Sequence, residues 1–425
     1  MARTTLTLLA SLAALAVPSF STPIELPPID FNLAEWWTKQ LFPCPVWGGT
    51  LPNGYQDLAG KYCSNVWTKT WTQGSTTARL YQVPGDWQSK PRYNEFVNGF
   101  GDAIQKGLGS FGSLAGPLTI NVGIAHGGVG EYVKMDDDNS GTKTPCYILV
   151  EFPADWENIP LTALQKDIIQ AMYRCVEHFH HPTVTAWTDG NEWWRRGIAR
   201  YFDGLSYPAQ SAFLNRGLYP EEYHYGVTLY QNEDAAALFF HYADQHRGWT
   251  PTDVHNWMKG HANKASYDEE RTSLAADPKI TPGLWHGFIL ASIDGTIAYP
   301  GGQKITNVHG GPPKRVYNSA NDVVAPAAVG QEYSKLVSIS SFKGGIHVFS
   351  VKPGQTLRVS VQTEPGVEWS LRKVGTTAWN SGARDRTVEL VVSAGQGNVN
   401  YEIAISSTMA AAAGYHARVR MVRSA

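Results

Sequence analysis

The sequence has few cysteines, little charge and, beyond its first residues, no long apolar run. Its 425 residues include only 4 Cys, and charged residues make up 17% of the chain. The 35 basic and 37 acidic residues nearly cancel and form no basic run, which removes the electrostatic footprint that nucleic acids and anionic membranes require. No later segment approaches the roughly 18 apolar residues of a membrane helix. We therefore expect neither nucleic acid nor membrane as a partner.

Signatures of covalent and calcium chemistry are missing as well. The chain contains no Gly-x-Ser-x-Gly nucleophile elbow. The segment at 136–141 begins like a calcium loop, but Tyr147 stands at the twelfth position, where such a loop has a bidentate Glu. The Gly-rich segment at 127–130 lacks the Lys and the Ser or Thr of a phosphate loop. Both segments are predicted to be turns, and covalent catalysis has no clear candidate.

The N-terminus carries an apolar run that predicts export. Residues 6–17 are mostly Leu, Ala and Val, follow Arg3, and precede small residues that suit a cleavage site. This run is too short for a membrane span and is typical of a signal peptide. We expect a signal peptide within residues 1–21, cleaved after Ala16 or Ser21, and a secreted protein.

Four cysteines remain, at Cys44, Cys63, Cys146 and Cys175, and their spacing fits no zinc-finger pattern. A secreted chain meets an oxidising compartment, in which disulfides persist. Three pairings are possible. We favour Cys44 with Cys63, which closes a short loop, and Cys146 with Cys175, which ties a strand to the following helix.

Periodicity divides the chain into an N-terminal extension (22–67), an α+β region (68–305), a linker rich in Gly, Pro and Ala (306–329) and an all-β region (330–425). In the α+β region we predict strands at 68–83, 118–124 and 147–152 and helices at 93–108, 161–181, 193–202, 234–245, 252–258 and 285–294. In the last region short alternating runs separated by turns predict a β-sandwich, with strands at 336–339, 346–351, 357–361, 367–373, 387–392 and 400–405.

The strongest predicted helix ends in the run Cys-Val-Glu-His-Phe-His-His at 175–181. About a dozen residues later comes Glu-Trp-Trp-Arg-Arg-Gly-Ile-Ala-Arg-Tyr-Phe at 192–202. Together these runs resemble the gluzincin metallopeptidases, in which His-Glu-x-x-His supplies two zinc ligands and a general base, and a following Trp-x-x-Glu-Gly-x-Ala-x-Tyr helix supplies the third ligand. The resemblance covers roughly 68–305. It implies an α+β zincin-like domain followed by an all-β sandwich domain.

Mapped residue by residue, the motif has lost two of its three zinc ligands. Glu177 takes the general-base position and His180 that of the second histidine, but Val176 replaces the first histidine and Arg196 the ligand Glu. A catalytic zinc ion normally keeps three protein ligands. We therefore predict a metal-free site without a cofactor, in which Arg196 forms an ion pair with Glu177. An alternative metal set drawn from His178, His181 and Glu192 remains open.

The candidate site combines retained polar residues with many aromatic rings. The candidate catalytic residues are Glu177, His180, Arg196 and Tyr201. The candidate ligand-binding residues are Trp187, Glu192, Trp193, Trp194 and Phe202, with Phe239 and Trp285 as further rings. Aromatic residues make up 12% of the chain, including 15 Trp, and pockets of this composition bind small, largely apolar molecules.

Three functions follow as hypotheses. The first is a non-hydrolytic enzyme acting on a small apolar substrate, for example by cyclisation or cycloaddition in secondary metabolism. The second is a non-catalytic protein that binds a peptide or a glycan. The third is a divergent zinc metallopeptidase with an unorthodox ligand set. The sequence leaves the substrate and the oligomeric state open.

Overall fold

The computed structural model describes residues 38–41, 65–82, 92–126, 133–135, 145–152, 158–182, 190–208, 223, 227–300, 302–305, 325–382, 386–410 and 415–424. All of these residues fall in the unit Thr38–Ala425. Several predictions lie outside the described residues: the signal peptide, the Cys44–Cys63 pairing, the turns at 127–130 and 136–141, and most of the linker.

A mixed sheet forms the first layer of the described structure. Its strands are β1 (Thr38–Leu41), β2 (Asn65–Gln73), β3 (Thr76–Gln82), β4 (Thr119–His126), β5 (Val133–Met135) and β6 (Cys146–Phe152). Their spatial order is β1-β2-β3-β4-β6-β5. The pairs β3–β4 and β4–β6 are parallel and the other pairs antiparallel. The parallel centre requires a crossover between β3 and β4, and the chain there contains a helix.

The predicted strand at 68–83 is two strands. β2 and β3 pair as an antiparallel hairpin, with Gln73 opposite Thr76. Gly74 at the turn has a φ of +59°, a left-handed conformation that costs glycine little. The alternation of Thr and Trp with polar residues in β2 is followed by the alternating residues Ala78 and Leu80 in β3, which is why the pattern alone did not separate the strands.

Seven α-helices of eight or more residues occur in the described part of the chain. They are α1 (Tyr93–Gly107), α2 (Leu161–His180), α3 (Glu192–Ser206), α4 (Ala237–Arg247), α5 (Pro251–Gly260), α6 (Tyr267–Ala276) and α7 (Pro282–Asp294). A π-helical segment, Leu108–Gly112, and a short helical turn, Ser113–Ala115, extend α1. All predicted helices are present, and α6 is an additional one that weak periodicity concealed.

Helix α2 is the helix that the sequence predicts most clearly, and one of its faces is apolar and buried. Leu164, Ile168, Met172 and Val176 are buried and recur at the spacing of one helix face. The disulfide between Cys146 and Cys175 joins α2 to β6, which confirms the predicted pairing. The helix that carries the motif is therefore fixed covalently to the central sheet.

Helix α3 packs closely against the segment that leads into α4. A Cβ atom added at Gly197 would lie 2.7 Å from the Cβ atom of Ala236 and 3.1 Å from its carbonyl carbon. Real Cβ atoms do not approach this closely, so the contact requires glycine. The packing of α3 therefore requires glycine at position 197, whether or not the chain binds a metal.

The C-terminal region is all-β, as predicted. Its strands are β7 (Glu332–Ile339), β8 (Lys343–Val351), β9 (Thr356–Gln362), β10 (Val367–Lys373), β11 (Asn380–Gly382), β12 (Thr387–Val391), β13 (Val399–Ser407) and β14 (Tyr415–Arg423). Within the described residues they form two four-stranded sheets, β11-β10-β13-β8 and β12-β9-β14-β7. A shared apolar core, which includes Val359, Trp369 and Val419, fills the space between them. The short β11 and the C-terminal β14 were not predicted.

Helix α7 packs against the sheet that contains β10 and β13. His286 is buried, and its two ring nitrogens lie 2.8 Å from the hydroxyls of Ser406 and Ser370. A Cβ atom on Gly344 of β8 would lie 2.6 Å from Ile289, so backbone and helix are in close contact there. The sandwich is therefore joined to the helices by a buried, hydrogen-bonded contact.

No helix in the described part of the chain has the length and apolar character needed to cross a membrane.

Candidate functional site

One face of α2 carries the polar residues retained from the motif. Tyr173, Glu177 and His180 are spaced by four and three residues, so they lie one above another on the same face of the helix. Val176 lies next to them and is fully buried. At the position of the first zinc ligand the structure therefore has a packed alkyl side chain.

The partner of Glu177 is Arg195, and the predicted pairing with Arg196 is wrong. Arg195 Nε donates to Glu177 Oε1, and both side chains are almost completely buried. Successive residues on a helix point about 100° apart, so only one of two adjacent arginines can face α2. Comparison with the family motif had indicated Arg196, which is the wrong one of the two, as the partner of Glu177.

Arg196 faces outward, away from the motif helix. Its side chain is 40% exposed, and it pairs with Glu192, one turn earlier, at 2.9 Å and with Glu233. These surface pairs are solvent-screened and contribute little stability. Arg196, at the position of the third zinc ligand, therefore lies outside the cluster around Glu177, and so does Glu192.

His178 also contacts Arg195. Its Nε2 atom lies 3.1 Å from Arg195 Nη2, and because a guanidinium can only donate, His178 Nε2 accepts this hydrogen bond. His181, in contrast, places its Nε2 atom 2.8 Å from the carbonyl oxygen of Met258. The residues of the alternative metal set, His178, His181 and Glu192, therefore each have a different protein partner.

His180 meets a second histidine, His255 of α5. Their ring centroids are 5.1 Å apart and their planes cross at 72°, and His255 Nδ1 lies 3.3 Å from the hydroxyl of Tyr173. Burial lowers the pKa of His180 to about 4, and the positive charge of Lys259 acts in the same direction. Burial and the neighbouring His180 lower the pKa of His255 to about 4. Both rings are therefore neutral at pH 7.

Three buried polar atoms near this face have no hydrogen-bond partner among the described residues. They are Glu177 Oε2, His180 Nε2 and His255 Nε2. Such atoms are uncommon because each costs desolvation energy. They are therefore candidates for contact with a bound molecule or ion.

The predicted aromatic residues lie inside the protein core. Trp193, Trp194, Tyr201 and Phe202 are all buried. Phe202 stacks on Tyr173 with centroids 4.3 Å apart, and the Tyr201 hydroxyl donates to Asp244 at 2.9 Å.

The further rings Phe239 and Trp285 are buried as well and contact each other at 6.3 Å. These rings hold helices together in the described structure. Trp187 lies outside the described residues.

Four residues that sequence reasoning missed take part in buried polar contacts. Arg195 is one, and its only sequence signal is its position beside Arg196. Glu270 of α6 accepts from Trp193 Nε1 at 2.8 Å and pairs with His261 at the same distance. His255 lies within α5 and His261 directly follows it, and no motif spacing indicates either.

Among the described residues, no three His, Cys, Asp or Glu side chains converge closely enough to hold a metal ion. A hydrolytic zinc centre needs three such ligands and an open water position. The described residues therefore offer no such centre, and the carboxylate of Glu177 is held by the Arg195 guanidinium.

The described structure is an α+β region joined to an all-β sandwich. On helix α2 of the α+β region, the carboxylate of Glu177 is paired with Arg195. No protein-family model matches this chain, and no curated protein matches it.

Some solved structures match over about a quarter of the chain. The g-type lysozyme inhibitor PliG of Aeromonas hydrophila is 14% identical over 24% of this chain and 95% of its own length, with a TM-score of 0.19. PliG of Salmonella Typhimurium is 17% identical over 24% and 96%, with a TM-score of 0.18. The pre-peptidase C-terminal domain of a Bacillus anthracis collagenase is 10% identical over 25% and 99%, with a TM-score of 0.17. These low scores do not establish a shared fold.

Proposed function

We propose that this chain is a secreted pseudo-metallopeptidase, a protein on a zincin-like helical scaffold that acts without a hydrolytic zinc ion. The observation that carries the proposal is the buried ion pair between Glu177 and Arg195. A general base must accept a proton from a zinc-bound water. Glu177 instead directs one oxygen to a fixed cation, and its nearest motif neighbour, Val176, has no metal-binding atom.

Secretion is part of the same proposal. The N-terminal apolar run favours export, and the Cys146–Cys175 disulfide is of the kind that persists in oxidising compartments.

A peptidase assay tests the proposal. The purified full chain is incubated with excess Zn²⁺ and a mixture of unstructured peptides, and cleavage is followed by mass spectrometry. Glu177→Gln serves as the control, because it removes the residue at the general-base position of the motif and retains the size of the side chain. We expect the two proteins to show the same background. Zinc-dependent cleavage by the unmodified chain that Glu177→Gln abolishes would overturn the proposal.

A small-molecule enzyme is the second candidate function. The unpartnered atoms Glu177 Oε2 and His180 Nε2 favour it, because polar groups of this kind orient a bound substrate. The described aromatic rings are packed in the core, so an apolar substrate would have to contact residues other than Trp193, Trp194 and Phe202. Incubating the chain and Glu177→Gln with culture metabolites tests this candidate, and only a product that the variant fails to form would support it.

A further inference from the structure

We propose that His180 and His255 form a two-histidine binding site for a divalent late transition-metal ion, with Cu²⁺ as the ion bound most tightly. This inference goes beyond the proposed function and departs from the sequence-based expectation of a metal-free protein. The site differs from the gluzincin centre, because α5 supplies one ligand and the positions of Val176 and Arg196 supply none.

The geometry of the two rings fits a shared ion. A metal–nitrogen distance is about 2.0 Å, and a ring centroid lies roughly 1.2 Å behind its nitrogen. Two imidazoles on one ion therefore have centroids about 4.5 Å apart in adjacent square-planar positions, which Cu²⁺ prefers, and about 5 Å apart in a tetrahedral arrangement. The centroids of His180 and His255 are 5.1 Å apart. Closing the site therefore requires no large movement of α2 or α5.

The atoms that would bind the ion are buried and have no partner. His255 is 1% exposed, and neither its Nε2 atom nor that of His180 has a hydrogen-bond partner among the described residues. A neutral imidazole has one ring nitrogen with a free lone pair, so an Nε2 atom without a hydrogen-bond partner is available to bind a metal ion.

One of the two rings already has a partner on its other nitrogen, since the hydroxyl of Tyr173 lies 3.3 Å from Nδ1 of His255. Metal-binding histidines almost always use their second nitrogen in this way, which fixes the ring orientation. Imidazole nitrogen suits Cu, Zn and Ni, and the Irving–Williams order places Cu²⁺ highest. With two protein ligands, this site differs from a hydrolytic centre, which has three.

Copper titration of the untagged full chain, freed of metal by a chelator, tests the proposal. We expect one tightly bound Cu²⁺ per chain, with an electron paramagnetic resonance spectrum that shows two nitrogen ligands. His180→Leu and His255→Leu each remove a metal ligand and should weaken Cu²⁺ binding by more than about 100-fold. Tyr173→Phe removes only a hydrogen-bond partner of a ligand and should weaken Cu²⁺ binding by about tenfold. His246→Gln, on α4 and outside the site, is the matched control and should bind as the unmodified chain does.

The spectrum of the unmodified chain keeps the test independent of the folding of the variants. A chain that binds no stoichiometric Cu²⁺, or a spectrum without two nitrogen ligands, would overturn the proposal. Binding that neither folded histidine variant weakens would also overturn it, since the ion would then lie elsewhere. The peptidase assay above reads a different property, so either proposal can fail without the other.

Discussion

Glu177 and Arg195 form a buried ion pair that links the two helices carrying the motif. Their side chains are 1% and 2% exposed, whereas Arg196, the next residue, is 40% exposed and pairs at the surface. The cation that pairs with Glu177 is therefore one position away from the arginine that the motif comparison indicated. Substituting one arginine should for this reason have a different effect from substituting the other.

Replacing Arg195 with Leu should destabilise the protein far more than replacing Arg196. The first change leaves a buried carboxylate without its cation, which costs about 3–5 kcal/mol, whereas exposed pairs contribute about 0–1 kcal/mol. Urea unfolding of the two variants measures the difference. Combining Arg195→Leu with Glu177→Leu should recover much of the loss, because the unpaired charge is then removed. Equal losses for the two single variants would contradict the assigned pairing.

A hydrolytic-type zinc site should be restored through position 195 and not through position 196. We expect Val176→His with Arg195→Glu to take up about one Zn²⁺ per chain, since position 176 lies one turn before His180 and position 195 contacts Glu177. Val176→His with Arg196→Glu is the matched control, and its new carboxylate should remain at the surface. Elemental analysis measures the zinc content. Zinc in the control alone would show that α3 has a different orientation from the one described.

Removing the disulfide should destabilise the motif helix. Cys146 and Cys175 are separated by 29 residues, and closing a loop of this length in the unfolded chain corresponds to about 3–4 kcal/mol of stability. Urea unfolding of Cys146→Ala with Cys175→Ala, compared with the unmodified chain, tests this value. A loss below about 1 kcal/mol would mean that packing alone holds α2 against β6.

Lowering the pH should decrease the free energy of unfolding, in part because of His286. Burial lowers the pKa of His286 to about 3, below the value of about 6.5 expected in the unfolded chain. Above pH 6.5 the ring is neutral in both states. Between pH 6.5 and 3 the unfolded chain binds a proton that the folded chain does not, so stability falls as the pH decreases, by at most about 1.4 kcal/mol per pH unit for this group.

His286→Gln should therefore flatten the pH dependence of the free energy of unfolding between pH 6.5 and 4. Ser406→Ala is the control, because it removes one hydrogen bond to His286, a loss of about 1 kcal/mol, without removing the titrating ring. Its curve should run parallel to that of the unmodified chain. Parallel curves for all three proteins would show that His286 is not shielded from protons in the folded state.

Periodicity predicted most helices and strands of this protein correctly. The stripe Leu164, Ile168, Met172 and Val176 predicted α2 because one helix face must be apolar to pack against a sheet. It failed where local signals were weak: β2 and β3 share one alternating pattern across Gly74, and α6 has little amphipathic character. The Cys146–Cys175 disulfide was predicted because the order of strand and helix already placed the two residues near each other.

The candidate site was less accessible to prediction. The motif located Glu177 and His180, since their spacing fixes them on one helix face. It did not indicate His255, which reaches the site only because α5 folds back over α2. The roles of the aromatic rings also depend on packing: Trp193 and Trp194 are suited to line a pocket or to fill a core, and burial decides between the two.

The sequence by itself determined most of the secondary structure, one disulfide and the classes of partner that charge and hydropathy disfavour. These properties depend on composition, spacing and the identity of single residues. Only the tertiary structure decided that Arg195, and not Arg196, neutralises Glu177, that His180 faces His255, and that α7 joins the sandwich through His286. Each depends on the rotation of one helix against another element, which is set by the packing of many side chains at once.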